Sequence, residues 1–345
     1  MTVRRSIRRP YRCGVGTGRV IVYGLGAIGG ALAAHLCEAG AEVAGVARGA
    51  HLEKIRADGL RLLTPVREAT VRFPVADDPA AFRPGADDIV LLAVKSQDTA
   101  AALAALAATG RDAAVACFQN GVANERAAAR YFERVYGAVV MCPATHLEPG
   151  VVAVHSAGVP ALFDVGRFPA GVDDTAEALT AALAGAGFDA RAVPDVMRWK
   201  HTKLLLNLGN AAEALTGVNA REGRLAARAR EEGAACLEAA GIPYASADED
   251  RARRGDKLAD LRPAGGQRHV GSSTWQSLAR GTGSVEADFL NGEIVLLGRL
   301  SGVPTPVNAL LQRLAAEFAA AGREPGTLPE EEILGRLPGG PPGEG

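Results

Sequence analysis

The first half of the chain alternates short apolar runs with amphipathic segments. Continuous apolar runs are typical of parallel strands covered on both faces, whereas apolar residues at helical spacing indicate helices. The runs that predict strands are 20–22, 42–47, 87–94, 113–118 and 138–141, and the segments that predict helices are 27–39, 51–58, 100–108 and 125–132. This alternation predicts a mostly parallel sheet with helices on both faces.

Two further stretches predict strands outside this alternation. Residues 60–75 show β-like alternation, and residues 151–155 and 161–165 predict a hairpin that closes the sheet. The pattern changes near Pro194, because only helical periodicity follows. The helices expected there cover 195–215, 289–300 and 306–322.

A glycine motif joins the first predicted strand to the first helix. Gly24, Gly26 and Gly29 form G-x-G-x-x-G, with Leu25, Ala27 and Ile28 between them. The first glycine permits a tight turn, the second lets a pyrophosphate approach the backbone, and the third lets the helix pack closely on the strand. The alternative is a structural glycine turn in another α/β fold. The strand and helix around the motif favour a dinucleotide site.

These patterns predict an α/β fold with two domains. A Rossmann-type dinucleotide-binding domain is expected over residues 19–193, followed by an all-helical C-terminal domain over residues 194–323. The basic residues 1–18 and the Pro-, Gly- and Glu-rich residues 324–345 are expected to be disordered tails.

Composition excludes several classes of protein. Of the 345 residues, 48% are hydrophobic and 22% are charged, which is typical of an ordinary globular protein. The net charge of −1 argues against nucleic-acid and membrane-surface binding, and no apolar run is long enough to cross a bilayer. The five cysteines and six histidines lack the spacing of a disulfide scaffold or a metal site. We therefore expect free thiols in a reducing cytoplasm and no metal.

The end of the second predicted strand indicates which dinucleotide binds. Enzymes that prefer NAD usually carry a carboxylate there, to bind the ribose 2′-hydroxyl. This chain has Arg48 instead, whose guanidinium matches a phosphate, and NADP is therefore favoured. The alternatives are stacking on the adenine and a solvated loop arginine.

Two more polar residues follow predicted strands. Lys95 and Asn120 come directly after the strands 87–94 and 113–118. Ligands of such sheets bind beyond the carboxyl ends of the strands, so both residues are candidates for cofactor binding. The alternatives are a solvated loop lysine for Lys95 and a simple turn for Asn120-Gly121.

The first long helix of the second domain carries a polar stripe. Its members are Lys200, Lys203, Asn207 and Asn210, and Lys203 and Asn207 are spaced to contact one small molecule. A solvated face is the alternative, although asparagine is a poor helix former. Further along the chain, Ser272-Ser273 predict a helix N-cap, and Glu286 precedes an apolar helix whose dipole it would suit.

Together these motifs resemble those of the ketopantoate reductases. The matching pieces are 24–29, 46–49, 94–99, 119–121, 203–207, 272–273 and 286–292, in the order found in that family. The resemblance implies NADPH-dependent reduction of 2-ketopantoate to (R)-pantoate, on the route to pantothenate and coenzyme A.

The resemblance also implies a role for each candidate residue. Lys203 matches the catalytic lysine, which binds the keto oxygen and protonates it as hydride arrives. Asn207 and Ser273 match residues that hold the substrate, and Asn120 matches one that contacts both substrate and nicotinamide. The cofactor-side positions are 24–29, Arg48, Lys95 and Glu286, and Glu286 is also expected to pair with Lys203 in the free enzyme.

The chain departs from the pattern of this family near Asn207, and this difference allows a substrate other than ketopantoate. The family usually has a second asparagine four residues after the position of Asn207, where this chain has Ala211, and Asn210 stands one residue earlier. Asn210 is therefore a further candidate substrate residue. The alternatives are a same-fold NADP-dependent reductase of another 2-oxo acid and a non-catalytic NADP-sensing protein. A small 2-oxo acid is the expected partner, and a homodimer is left open.

Overall fold

The computed structural model describes residues 18–146, 148–217, 220–266, 271–281 and 283–338. The predicted disorder of residues 1–18 therefore lies outside the described residues, apart from Gly18, and so does that of residues 339–345.

The described residues form two sheets and a set of helices, with an α/β half followed by a helical half. The strands are β1 Val20–Tyr23, β2 Val43–Val46, β3 Leu60–Leu63, β4 Glu68–Val71, β5 Val75–Ala76, β6 Ile89–Leu92, β7 Ala114–Cys117, β8 Val135–Met141, β9 Ala144–Thr145, β10 Val151–Val154, β11 Leu162–Arg167 and β12 Asp189–Ala192. The helices are α1 Ala27–Glu38, α2 Gly49–Asp58, α3 Thr99–Ala108, α4 Asn124–Ala128, α5 Asp174–Gly185, α6 Val196–Asn207, α7 Gly209–Thr216, α8 Arg224–Ala239, α9 Ala247–Arg254, α10 Ser273–Ala279, α11 Asn291–Ser301, α12 Pro306–Ala320 and α13 Glu330–Gly335.

The main sheet confirms the predicted Rossmann-type arrangement. Its order is β12-β11-β8-β7-β6-β1-β2-β5, and its pairs are parallel except β8 with β11. Side chains of β1 alternate between the faces, because Val20 and Val22 join the core on one side and Ile21 joins the core on the other. Helices α1 and α5 cover the first face, and α3 and α4 cover the second.

The predicted hairpin of residues 151–155 and 161–165 is wrong. Strand β10 belongs to a second sheet of order β4-β3-β10-β9, which packs against α1, whereas β11 belongs to the main sheet. Each strand has a better partner elsewhere: β10 pairs with β3 and β9, and β11 pairs with β8 along its whole length. Neighbouring apolar strands in sequence do not identify their partners.

The helix predicted over residues 195–215 is two helices, α6 and α7, which meet at Leu208. The break is stabilised by a side chain, because the carbonyl oxygen of Leu208 accepts a hydrogen bond from Asn291 Nδ2 at 3.1 Å. Close packing also favours glycine at the next position, where a Cβ at Gly209 would lie 3.1 Å from the Arg221 carbonyl oxygen. Asn207 and Asn210 therefore stand on either side of a helix break.

The prediction of disorder is also wrong for residues 324–338. This segment runs along the helical domain, where the amide of Gly326 donates to the Ala214 carbonyl oxygen at 2.9 Å. Its apolar side chains join the core of that domain; they are Leu328, Ile333, Leu334 and Leu337. These residues are spaced among Pro, Gly and Glu, so the average composition of the segment is polar. The prediction of disorder used that average and missed the four apolar side chains that pack together.

Candidate active site

The glycine turn has the geometry that each of its glycines predicts. Gly24 has a φ of +100°, and a Cβ there would lie 2.8 Å from the backbone nitrogen of Val94. A Cβ at Gly29 would lie 1.9 Å from the Gly24 carbonyl oxygen, so the helix packs against the turn. Gly26, the N-cap of α1, has no atom within 4 Å of its Cβ position. The open approach at Gly26 and the free amides of the first turn, which includes Ala27 and Ile28, suit a pyrophosphate.

His51 holds the turn in place, a contact that no sequence pattern suggested. Its Nε2 donates to the Leu25 carbonyl oxygen at 2.8 Å, and its Nδ1 accepts from the Gly150 amide at 2.8 Å. Burial, with a smaller effect of His146, lowers the pKa of His51 to about 4. The ring is therefore neutral at neutral pH, as one donating and one accepting nitrogen require.

Arg48 lies between β2 and α2, at the carboxyl edge of the sheet. Its side chain is 74% exposed, and Nη2 lies 3.4 Å from Asp98 Oδ1. The guanidinium is thus available to a ligand at the end of β2.

Lys95 and Glu286 connect the two halves of the protein. Lys95 Nζ lies 2.5 Å from Glu286 Oε2, and Glu286 Oε1 accepts from the amide and hydroxyl of Ser96 at 3.1 and 3.2 Å. Burial alone would raise the pKa of Glu286, but Lys95 and Ser96 together bring it below its ordinary value. The expected pairing of Glu286 with Lys203 is wrong, because Lys95 and Ser96 surround the carboxylate instead.

Asn120 connects these groups to the helical domain. Its carbonyl oxygen accepts from Asn124 Nδ2 at 3.0 Å and from Ser96 Oγ at 3.4 Å. Its side-chain Oδ1 accepts from Nδ2 of the buried Asn207 at 3.2 Å. The structure therefore brings Lys95, Asn120 and Asn207 into one hydrogen-bonded network.

Lys203 lies beside this network. It lines a small recess together with Gln119, Asn120, Gly121, Ala138, Val139, Val140 and Lys200. Burial lowers the pKa of Lys203 to about 8, with further lowering by Arg221 and Arg254 and an opposing effect of Asp250. An ammonium that gives up its proton so readily suits a general acid near neutral pH.

Asn210 and Ser273 belong to a neighbouring cluster around Ser272. Ser272 caps α10, its hydroxyl donates to the Asn210 carbonyl oxygen at 3.4 Å, and its amide donates to Glu213 Oε2 at 2.7 Å. Asn210 is 4% exposed, and its Oδ1 accepts no hydrogen bond from the described residues. Ser273 follows Ser272 as the first residue of α10.

Comparison with known proteins identifies the family of this chain. The family model "Ketopantoate reductase PanE/ApbA" matches residues 20–169, and the model of the C-terminal domain of the same family matches residues 195–319. The 2-dehydropantoate 2-reductase of Halobacterium salinarum is 32% identical over 84% of this chain and 95% of its own. The chain belongs to the ketopantoate reductase family. It is therefore an oxidoreductase with a dinucleotide-binding domain, as its motifs predict.

Other relatives and solved structures cover the same span. The 2-dehydropantoate 2-reductase of Mesorhizobium japonicum is 32% identical over 87% of this chain and 98% of its own. The crystal structure of a PanE/ApbA family ketopantoate reductase from Ralstonia eutropha JMP134 is 31% identical, with a TM-score of 0.73 over 88% of this chain and 99% of that chain. A D-mandelate dehydrogenase complex with NADH and anilino(oxo)acetate shares the fold, with a TM-score of 0.73 at 20% identity over 88% of this chain and 99% of that chain.

This family member also has site residues that its sequence pattern did not identify. Gln119 Nε2 donates to the Val94 carbonyl oxygen and to Thr99 Oγ1, both at 2.8 Å, and so connects two strand ends. Lys200, which the stripe left as either solvated or functional, is buried and pairs with Glu125 at 2.6 Å. Burial raises the pKa of Glu125, and Lys200 opposes that rise. Residues so distant in sequence give no local signal of their pairing.

None of the helices in the described ranges is long and apolar enough to cross a membrane. Within the same ranges, no group of three or more His, Cys, Asp or Glu side chains is arranged to hold a metal ion.

Proposed function

We propose that this enzyme reduces 2-ketopantoate to (R)-pantoate and uses NADPH to do so. The observation that carries the proposal is Lys203, an ammonium with a pKa of about 8 beside the Asn120–Asn207 pair, where the helical domain meets the carboxyl edge of the sheet. The curated relatives from Halobacterium and Mesorhizobium are named for the same reaction.

The residues around the glycine turn fit a dinucleotide phosphate. Gly26 leaves space in front of the first turn of α1, and Arg48 supplies a positive fork at the end of β2. The sequence has no carboxylate at that position, and the nearby Asp98, 3.4 Å from Nη2, forms only an exposed pair with Arg48. This combination supports NADPH over NADH. Lys95 and Glu286 lie further along the same edge and orient the cofactor in the proposal. When bound, the nicotinamide supplies the hydride.

The proton comes from the protein. Lys203 Nζ hydrogen-bonds the 2-keto oxygen, stabilises the negative charge that develops there and transfers its proton to form the hydroxyl. Asn120 and Asn207 hold the substrate beside it, and Ser273 binds its carboxylate. We also assign the substrate hydroxyl to Asn210, because its buried Oδ1 accepts no hydrogen bond from the described residues.

A second candidate is the reduction of another 2-oxo acid. It is favoured by Ala211, which stands where the family usually has its second asparagine, so that Asn210 lies one residue away from that place. The third candidate is a non-catalytic NADP sensor. Lys203 argues against it, because its lowered pKa suits the donation of a proton.

Oxidation of NADPH with ketopantoate, beside a panel of other 2-oxo acids, tests the substrate. We expect ketopantoate to give the highest kcat/KM. Faster turnover of another acid would favour the second candidate, and tight NADPH binding without any turnover would favour the sensor.

Substitution Lys203→Ala tests the mechanism. We expect kcat to fall about 100- to 10,000-fold, because the proton donor is lost, while NADPH binding changes little. Lys54→Ala, which removes an exposed lysine from α2, is the control and should leave kcat unchanged. Near-normal turnover of Lys203→Ala would contradict the role assigned to Lys203.

The setting of the enzyme is part of the same proposal. We expect it to act in the cytoplasm on a small molecule, without nucleic acid. Light scattering of the peak that elutes from a size-exclusion column gives the molar mass and so tests whether the enzyme is a homodimer.

A further inference from the structure

Lys200 crosses from the helical domain into the α/β domain. It extends from α6, and its Nζ lies 2.6 Å from Glu125 Oε1, 2.9 Å from the Gln119 carbonyl oxygen and 3.3 Å from the Ala138 carbonyl oxygen. The two carbonyl oxygens accept hydrogen bonds from the ammonium, and the Glu125 carboxylate balances its charge as an ion pair. The side chains of Lys200 and Glu125 are only 2% and 0% exposed.

The fold provides a site for this pair. A Cβ at Gly137 of β8 would lie 3.4 Å from both Glu125 Oε1 and Lys200 Cδ, so the strand leaves just enough space for the two side chains. Val196, at the start of α6, packs with Val139 of the same strand. Helix α6 is therefore attached to the α/β domain both by apolar contact and by charge.

One acceptor of Lys200 belongs to a residue that adjoins the proposed active site. Gln119 precedes Asn120, whose side chain accepts from Asn207 of the same helix α6. Lys203 lies one turn beyond Lys200, and both line the recess beside Asn120. The break at Leu208 separates α6 from α7, and α6 packs on β8 and β11 of the sheet as well as on α8, so its contacts with the sheet contribute to its position.

We propose that Lys200, paired with Glu125, is a positioning residue that fixes Lys203 relative to Asn120. This inference rests on the proposed function of Lys203 as the proton donor. The pair makes α6 and the Gln119–Asn120 turn one rigid unit, so the donor and the amide keep their separation. A displacement of about 1 Å between reacting groups can reduce turnover by roughly 100-fold, so such a tether affects rate more than binding.

Substitution Lys200→Met tests the tether, because Met has a similar length but no charge. We expect kcat to fall about tenfold or more, while KM and the dissociation constant of NADPH change less than about threefold. Glu125→Gln, which removes the other charge and keeps the shape, should reduce kcat in the same direction. It also provides a test if Lys200→Met does not fold.

The double variant Lys200→Met/Glu125→Leu separates positioning from stability. Replacing a buried ion pair by apolar residues is often neutral, whereas removing one partner destabilises. We therefore expect the double variant to unfold at a higher urea concentration than Lys200→Met and yet to retain the low kcat. Recovery of kcat together with stability would overturn the proposal.

Arg253→Met is the matched control. Arg253 is also a buried cation that ties the helical domain to the sheet, through Asp164 Oδ1 at 2.7 Å, but it acts from α9 and not from α6. We expect Arg253→Met to lose stability and to keep kcat within about twofold. A similar loss of kcat in both variants would overturn a specific role for Lys200.

Two further measurements distinguish failure of the tether from failure of the proposed function. Hydrogen exchange at the amides of residues 119–121 should be faster in Lys200→Met than in Arg253→Met, and this readout needs no turnover. Unchanged exchange would overturn the tether even if no 2-oxo acid is reduced. The alkaline decline of activity should persist in Lys200→Met, because Lys203 is still present, and its disappearance would assign the proton donation to Lys200 itself.

Discussion

Lys95 and Glu286 form an ion pair between the two domains, with Nζ 2.5 Å from Oε2. The carboxylate is buried, whereas the lysine side chain is 37% exposed, so solvent reaches Lys95 far more than Glu286. Ser96 supplies two further hydrogen bonds to the same carboxylate. The pair thus holds the helical domain against the edge of the sheet where the cofactor is proposed to bind.

Glu286→Gln should destabilise the protein by about 1–2 kcal/mol at neutral pH, less than for a fully buried pair because Lys95 is partly exposed. The pKa of Glu286 is below its ordinary value in the folded protein, so its charged form contributes stability above the unfolded-state pKa. That contribution is lost as the pH falls through the folded-state pKa. The difference between wild type and Glu286→Gln in urea unfolding should therefore be present at pH 7 and disappear in acid.

Glu53→Gln is the control for that experiment. Glu53 forms an exposed pair with Arg56, and its loss should cost less than about 1 kcal/mol. A difference for Glu286→Gln that persists at pH 3 would mean that the carboxylate contributes through its shape and not through its charge.

The pH dependence of reduction should follow Lys203. With a pKa of about 8, Lys203 is protonated below that pH, so kcat/KM should decline above it. Arg221→Gln removes a positive charge that disfavours the ammonium, so it should raise the pKa of Lys203 and move the decline to higher pH. Arg228→Gln, which removes an exposed arginine from α8, is the control for the loss of one charge. A decline that moves to lower pH in Arg221→Gln would contradict this assignment.

The predictable part of this protein is the part that local sequence determines. Gly24, Gly26 and Gly29 follow a buried strand and precede a helix, so the turn and its open approach could be predicted from a short stretch. The carboxyl ends of parallel strands share one edge, which is why Lys95 and Asn120 could be expected near each other.

The rest depends on contacts between distant residues. Lys200 and Glu125 lie on different domains, and nothing near either residue indicates the other. The break at Leu208 depends on Asn291, and the placement of Glu286 depends on Lys95 and Ser96. Periodicity therefore predicted a continuous helix, and the resemblance gave Glu286 the wrong partner, Lys203.

Arg48→Ala should weaken NADPH binding about 10- to 100-fold and NADH binding much less. The expected loss corresponds to a charge-assisted hydrogen bond to the 2′-phosphate, which only NADPH carries. Dissociation constants of both cofactors, measured by fluorescence titration, provide the test. Arg56→Ala removes an arginine from α2, the helix that follows Arg48, and should leave both dissociation constants unchanged. Equal weakening of NADPH and NADH by Arg48→Ala would contradict the proposed phosphate contact.

Leu334→Ala should destabilise the protein by about 2–3 kcal/mol, because Leu334 of α13 is buried in the core of the helical domain. Leu300→Ala is the matched control: Leu300 also lies on a helix but is 77% exposed, so its loss should change stability by less than about 0.5 kcal/mol. Urea unfolding of both variants gives the comparison directly. Equal stability of the two variants would mean that residues 324–338 do not pack against α7 and α8 in solution. The disorder expected from the composition of that segment would then be correct.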